Sequence, residues 1–236
     1  MSRIAGVDGC PGGWLWISLD TQTNTFQARI FHTAAELLAH DPLLDAMTID
    51  MPIGLVSAGR RRCDELARDL LGNRHMCVSN APLRSALYAP SRLAASAITL
   101  AATNREVGAH EWALYPKIIN LDIVMTPAQQ RWCFEIHPEL SFHQWNNGAA
   151  LQDSKDSAPG RQAREVLIEA QWPGARQTVI QQFVQQHVHA NWYEPDDVND
   201  AFAALWTAQR IASRIAQRIP IAPPIDARGL RMEMWY

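Results

Sequence analysis

The chain lacks the cysteine pattern that a disulfide framework or a zinc site would need. Its four cysteines, Cys10, Cys63, Cys77 and Cys133, are widely spaced and form no C-x-x-C pair, so buried free thiols are expected. No uncharged apolar run is long enough to span a bilayer, and no signal-peptide pattern precedes the first predicted strand. A cytoplasmic location without membrane association is therefore expected. Two nucleotide signatures are missing. Gly6-x-x-Gly9-x-x-Gly12 departs from the dinucleotide fingerprint, whose first two glycines are one residue apart, and no Walker A lysine is present. An excess of positive charge is also missing: the formal charge of −3 argues against a broad, charge-driven nucleic-acid surface. Nearly all basic residues are arginine, and Arg60, Arg61 and Arg62 are adjacent. A local phosphate-binding groove and an arginine-biased composition explain this equally well.

What is present is enough hydrophobic residue, 47% of 236 positions, for a substantial core. The length suits one large α/β domain or one domain carrying a helical insertion. The opening reads as three strands, Arg3 to Asp8, Trp14 to Leu19 and Thr25 to Phe31, joined by short turn-rich connections that favour an antiparallel meander. A short helix from His32-Thr33 leads to a fourth strand ending at Asp50, stopped by Met51-Pro52-Ile53-Gly54. From Arg60 to Leu71, Cys63, Leu66, Ala67, Leu70 and Leu71 repeat at helical spacing. The opposite face, with Arg61, Asp64, Glu65, Arg68 and Asp69, is expected to be solvated. Arg92 to Glu106 reads helical, and Lys117 to Met125 is ambiguous. Arg131 to His137 is the fifth strand, followed by helices at Arg161 to Gln171, Thr178 to His189 and about Asp196 to Arg218. A short terminal strand is expected from Leu230 to Trp235.

Four acids stand at the ends of these elements. Asp8 leaves the first strand into a glycine-rich turn, where turn formation explains it as well as chemistry does. Asp50 ends a strand expected to be buried, where a lone charge is costly. Glu135 shares a strand face with Cys133 and His137, with Phe134 and Ile136 on the other. Asp196, Asp197 and Asp200 open the last long helix, where acids favour the N-terminal dipole. That role accounts for Asp196, whereas Asp200 lies deeper and precedes Ala201, Ala203 and Ala204, residues small enough to bring the helix close to a sheet. Carboxylates converging at one sheet edge repel one another unless protons or a divalent cation intervene. The candidate metal ligands are therefore Asp8, Asp50, Glu135, Asp197 and Asp200. His137 and Glu139 flank Pro138 as supporting groups, although a structural histidine is the more common reading of His137. Nine tryptophans invite comparison with base-stacking proteins, but the alternation of Trp14 and Trp16 with Leu15 and Ile17 points to packing.

The order of elements is that of an RNase H-like sheet, and longer motifs carry a family resemblance. They include Gly6-Val7-Asp8-Gly9-Cys10-Pro11-Gly12-Gly13-Trp14, Ile49-Asp50-Met51-Pro52-Ile53-Gly54-Leu55 and Glu135-Ile136-His137-Pro138-Glu139-Leu140-Ser141-Phe142. Pro82-x-Arg84, Pro116-Lys117-Ile118, Ser154-Lys155 and Asp196-Asp197-Val198-Asn199-Asp200-Ala201 follow the same pattern. The chain resembles the family of predicted RNase H-like nucleases catalogued as a domain of unknown function, DUF429. It departs at Cys77-Val78-Ser79-Asn80, where a serine and an aromatic are expected.

The resemblance implies one α/β RNase H-like domain over residues 1–236. Its mixed five-stranded sheet is flanked by helices, with a helical insertion at about 73–125 between strands 4 and 5. By analogy it implies metal-dependent phosphodiester cleavage. Asp8, Asp50, Glu135 and Asp200 would be catalytic around Mg²⁺ or Mn²⁺, and Arg62, Arg84, Lys117 and Lys155 would contact phosphate. The expected partner is nucleic acid chosen by structure rather than broad charge, and an oligomer is compatible with the sequence. Two alternatives stay open: a non-catalytic binding module or scaffold, and a phosphate- or nucleotide-handling hydrolase related to the actin-like ATPases.

Overall fold

The computed structural model describes residues 2–236. In chain order the elements are β1 (Arg3–Cys10), β2 (Gly13–Asp20), β3 (Thr25–Phe31), α1 (Ala34–His40), β4 (Ala46–Ile49), α2 (Arg62–Leu71), α3 (Arg92–Thr103) and α4 (Ala109–Asp122). There follow β5 (Cys133–Glu135), α5 (Pro138–Trp145), α6 (Ala158–Gln171), α7 (Ala175–Gln185), α8 (Pro195–Ala212), β6 (Arg218–Ile219) and β7 (Met234–Trp235). They fall into two compact units. The first comprises the residues up to Asp50, then Trp132–Gln217 and Trp235–Tyr236, and the second comprises Met51–Arg131 and Arg218–Met234.

The first unit is built on a five-stranded sheet in the order β3-β2-β1-β4-β5. The β1–β2 and β2–β3 pairs are antiparallel, and the β1–β4 and β4–β5 pairs are parallel. This is the RNase H-like arrangement expected from the sequence, with α2, α3 and α4 inserted between β4 and β5. The meander turns are locally encoded: Asp20 accepts from the Gln22 and Thr23 amides, and Asn24 adopts positive φ.

Helix α8 is buried from Asp197 to Ala208 and lies against β1 at backbone distance. A Cβ at Gly6 would stand 2.1 Å from the Leu205 nitrogen and 2.3 Å from the Ala201 oxygen. Only glycine on the strand, facing small residues on the helix, allows this approach. The core beneath α8 gathers Ile4, Leu15, Ile17, Phe202 and Leu205, with Trp172 and Phe183 from α6–α7. Full burial of such side chains stabilises by roughly 1.5–3 kcal/mol each. Trp14 and Trp16 are buried, as their alternation predicted.

Edge strand β3 is not left open to pairing. Gln182 of α7 accepts from the Ala28 amide at 2.7 Å and donates to the Phe26 carbonyl at 2.8 Å, and Gln186 donates to the Ala28 carbonyl at 2.9 Å. Side-chain amides thus take the place of a further strand.

The second unit holds α2, α3 and α4. Arg62 and Glu65 form a solvated i,i+3 pair at 3.2 Å, but the expected solvated face needs correction at two positions. Arg61 and Asp64 are only 2% and 4% exposed and pair at 3.0 Å. Arg61 also donates to the Ile53 carbonyl at 3.1 Å, and Asp64 accepts from the Ala81 amide at 3.3 Å. Helical periodicity identifies the apolar stripe; it does not reveal loops that cover the start of the polar one. The ambiguous stretch from Lys117 resolves as the second half of α4, which contains Pro116 and ends at Asp122. The predicted terminal strand contracts to Met234–Trp235.

Candidate metal centre

The parallel register aligns Val7 with Ile49, and the Asp50 amide continues the ladder by donating to the Val7 carbonyl at 3.0 Å. Asp8 and Asp50 are therefore neighbours on one face of the sheet, and Asp50 acts electrostatically on Asp8. Helix α8 covers the same face: Thr48 Oγ1 donates to the Ala204 carbonyl at 2.6 Å. One turn before Ala204, α8 presents Asp200, and three residues earlier Asp197. Both act electrostatically on Asp8.

Asp200 is 2% exposed. One of its oxygens accepts from Lys155 Nζ at 2.6 Å, while the other, Oδ1, is buried without a hydrogen-bond partner. Lys155 also reaches Asp196 at 3.1 Å. Burial first, then the charges of Asp50, Asp200 and Asp197, raises the Asp8 carboxyl well above the usual carboxylate range. Burial also raises Asp50, against the opposing effects of His137 and Lys155. Asp200 is pushed up to about 7, again chiefly by burial and despite Lys155. Opposing charges hold the Lys155 ammonium firmly protonated. One lysine does not neutralise this group of acids.

Asp197 is pushed up to about 6, mainly by burial, and also has a structural task. Its Oδ2 accepts from the Glu194 amide at 2.7 Å, closing a capping box. The capping role assigned to Asp196 thus passes to Asp197. Because α8 begins at Pro195, Asp197 occupies the third helical position and Asp196 is left to pair with Lys155.

Glu135 is placed differently. It aligns with Ile49, so strand alternation sets it on the face of Val7 and Ile49, opposite Asp8 and Asp50. Buried at the end of β5, it is separated by the sheet from the Asp8–Asp50–Asp200 group. His137 and Glu139 do bear on that group: both act on Asp50, and Glu139 also acts on Asp200. The His137 ring accepts from the Glu139 amide at 3.2 Å, capping α5.

Arg164 is a participant the sequence reading did not single out. Fully buried on α6, it holds the Glu139 carboxylate with Nε at 3.1 Å and with Nη2. A signal existed, since Gly160, Arg164 and Ile168 lie at i, i+4 and i+8 on the buried stripe of α6. A charge at such a position must have a partner.

Of the predicted phosphate contacts, Lys155 alone belongs to the first unit, where it is engaged with carboxylates. In the second unit Arg62 pairs with Glu65, and Lys117 is half-buried on α4. Arg84 is held between Asp122 at 2.7 Å and Asp226 at 2.5 Å.

The first unit is thus an RNase H-like α/β sheet with the buried Asp8 and the half-buried Asp50 at the ends of β1 and β4. A family model described as "Protein of unknown function (DUF429)" matches residues 6–225, so the chain belongs to that family. No curated protein and no solved structure matches it. Among the described residues, no helix is long and apolar enough to cross a membrane.

Proposed function

We propose that the chain is a divalent-metal-dependent phosphodiester hydrolase acting on nucleic acid, with Asp8, Asp50 and Asp200 as the metal-binding carboxylates. The observation that carries this reading is Asp200 Oδ1, a buried acceptor without a hydrogen-bond partner beside two further acids. Leaving such an atom unsatisfied costs on the order of 1–3 kcal/mol, and more if it is charged. A cation fits the donor set, since carboxylate oxygens suit Mg²⁺ and Mn²⁺. When bound, such an ion lowers the pKa of water and offsets charge on a phosphoryl oxygen.

The chain's own residues prepare the site. The Asp8 and Asp50 carboxyls, both raised by burial, would give up their protons to a cation. Asp197 fixes the first turn of α8 and so the position of Asp200. Arg164 holds Glu139, whose charge, together with His137, sets the field at Asp50. Lys155 supplies one positive charge and keeps Asp200 oriented. Glu135, itself among the buried groups able to hold a metal ion, lies on the opposite face of the sheet and so is not part of this set.

The test is a cleavage screen over single-stranded, duplex, branched and hybrid substrates with Mg²⁺, Mn²⁺ or chelator, with Asp8→Asn as control. Metal-dependent cleavage lost in the control is expected. Absence of cleavage on every substrate, with no Mn²⁺ binding by calorimetry, overturns the reading. It would leave the second one, a non-catalytic module. Lys155 favours that alternative, because an ammonium 2.6 Å from Asp200 already supplies part of the missing counter-charge.

A further inference from the structure

Eight of the nine tryptophans are buried or half-buried, and Trp192, at 38% exposure, is the exception. It sits in a short 3₁₀ turn, Ala190–Trp192, just before α8. It is held firmly despite its exposure. Its carbonyl accepts from the Gly12 amide at 2.8 Å. A Cβ at Gly12 would stand 2.5 Å from the Trp192 Cβ and 2.8 Å from its Cγ, so the hairpin turn is glycine where the tryptophan seats. His32 packs edge-on to the indole, with centroids 5.0 Å apart and planes at 87°, while its Nδ1 lies 2.9 Å from the Gly12 carbonyl. His189 lies tilted at 38° with its centroid 6.4 Å from the indole, so two imidazoles brace the ring.

The position matters as much as the rigidity. The turn carrying Gly12 closes the end of β1 just beyond Asp8, and Trp192 lies three residues before the helix that brings Asp197 and Asp200 to that end. We infer that Trp192 is a stacking platform for an unpaired nucleobase of a single-stranded nucleic acid whose backbone passes the carboxylates. The inference rests on the proposed phosphodiester reading and narrows its substrate class. A base in a duplex has no free face to offer, so the platform selects single strands or unpaired ends. Glu194 and Asp196 follow within four residues in the chain, so stacking, supported by a divalent cation, would stand in for a basic groove.

The experiment titrates a fluorescently labelled single-stranded 12-mer, and the matching duplex, by anisotropy in Ca²⁺ and in Mn²⁺. The proteins are wild type, Trp192→Phe, Trp192→Leu and Trp192→Ala, each also titrated with Mn²⁺ by calorimetry. Trp192→Ala and Trp192→Leu are expected to weaken single-strand binding about fivefold or more, the loss of one stacked base. Trp192→Phe should stay near wild type, and duplex binding and Mn²⁺ affinity should be unchanged in all three. Single-strand affinity indifferent to position 192 overturns the inference. So does an equal loss for duplex, Leu matching Phe, or no single-strand binding at all. Stacking that persists in a protein that binds no Mn²⁺ would retire the metal reading alone. Mn²⁺-dependent cleavage with wild-type affinity in Trp192→Ala would retire the platform alone.

Discussion

Asp200 and Asp226 are both buried aspartates, one in each compact unit, and their carboxyls are perturbed in opposite directions. Asp226 accepts from the amides of Leu55, Arg228 and Leu230 and pairs with Arg84. Those partners outweigh its burial and hold its carboxyl below the usual range. Asp122 nearby is answered by Arg84, Arg228 and the Tyr88 hydroxyl. Asp200 has one lysine, an oxygen with no partner, and other raised acids around it. Burial therefore does not distinguish an acid whose oxygens are answered from one left short of donors; the supply of donors and counter-charge does. Asp122 and Asp226 are answered by arginines as they stand, whereas Asp8, Asp50 and Asp200, all raised, are met by one lysine.

Removing each acid should break this symmetry most visibly. Asp226→Ala is expected to destabilise the protein by about 3 kcal/mol or more, because it strands Arg84 and three amides. Asp200→Asn and Asp8→Asn should leave metal-free stability unchanged or raised, since each relieves clustered like charge. Both should abolish Mn²⁺ binding. Urea melts with chelator, paired with Mn²⁺ calorimetry, check the contrast, and a large metal-free loss in Asp200→Asn would make the two acids alike.

The pH dependence sharpens the same comparison. Asp197 and Asp200 hold protons up to about pH 6 and about pH 7, whereas the unfolded chain releases them near 3.8. Between those limits the folded state binds more protons, so their contribution is full below about pH 4 and is lost as pH rises towards 7. Asp226, with its lowered pKa, contributes the opposite slope, present above the unfolded value and lost as pH falls through the folded one. Metal-free wild type should therefore lose stability from pH 4 to 7 relative to Asp200→Asn, and saturating Mn²⁺ should remove the difference. Thermal melts across that range read it directly.

A smaller effect is expected at Lys155. Its ammonium competes for the charge a divalent ion would meet, but it is partly solvated, and such pairs contribute up to about 1 kcal/mol. Lys155→Gln should tighten Mn²⁺ binding by no more than about fivefold. Weaker binding would mean that orienting Asp200 outweighs the competition. The smallest effect is Asp197→Asn, expected to cost about 0.5–1 kcal/mol of stability through the capping box while Mn²⁺ affinity stays near wild type. Loss of Mn²⁺ binding there would move Asp197 into the ligand set.

Much of this was legible in the residues. Short turn-rich connections between β-branched and aromatic runs specified the β1–β2–β3 meander, and the spacing of Cys63, Leu66, Ala67 and Leu70 specified α2. Ala201, Ala203 and Ala204 forecast the close approach of α8, which Gly6 completes from the strand side. The misplacements came from partners remote in sequence. Arg61 and Asp64 look solvated in a helical projection because Ile53 and Ala81, which bury them, lie outside the helix. Glu135 looked equivalent to Asp50 because both end strands, and only the register shows that alternation turns them to opposite faces.

By itself, then, the sequence left out α5 and the first half of α4; it determined the order of the five sheet strands, the RNase H-like sheet and the presence of acids at its strand ends. Those depend on local periodicity, turn chemistry and residue size, all properties of neighbours along the chain. Which acids share a face, which are answered by arginine and which is left with an unsatisfied oxygen was decided by tertiary structure alone. Electrostatic balance depends on distances between residues far apart in the chain. Lys155 and Asp200 are 45 positions apart, and Arg84 and Asp226 are separated by 142; only folding brings such pairs together.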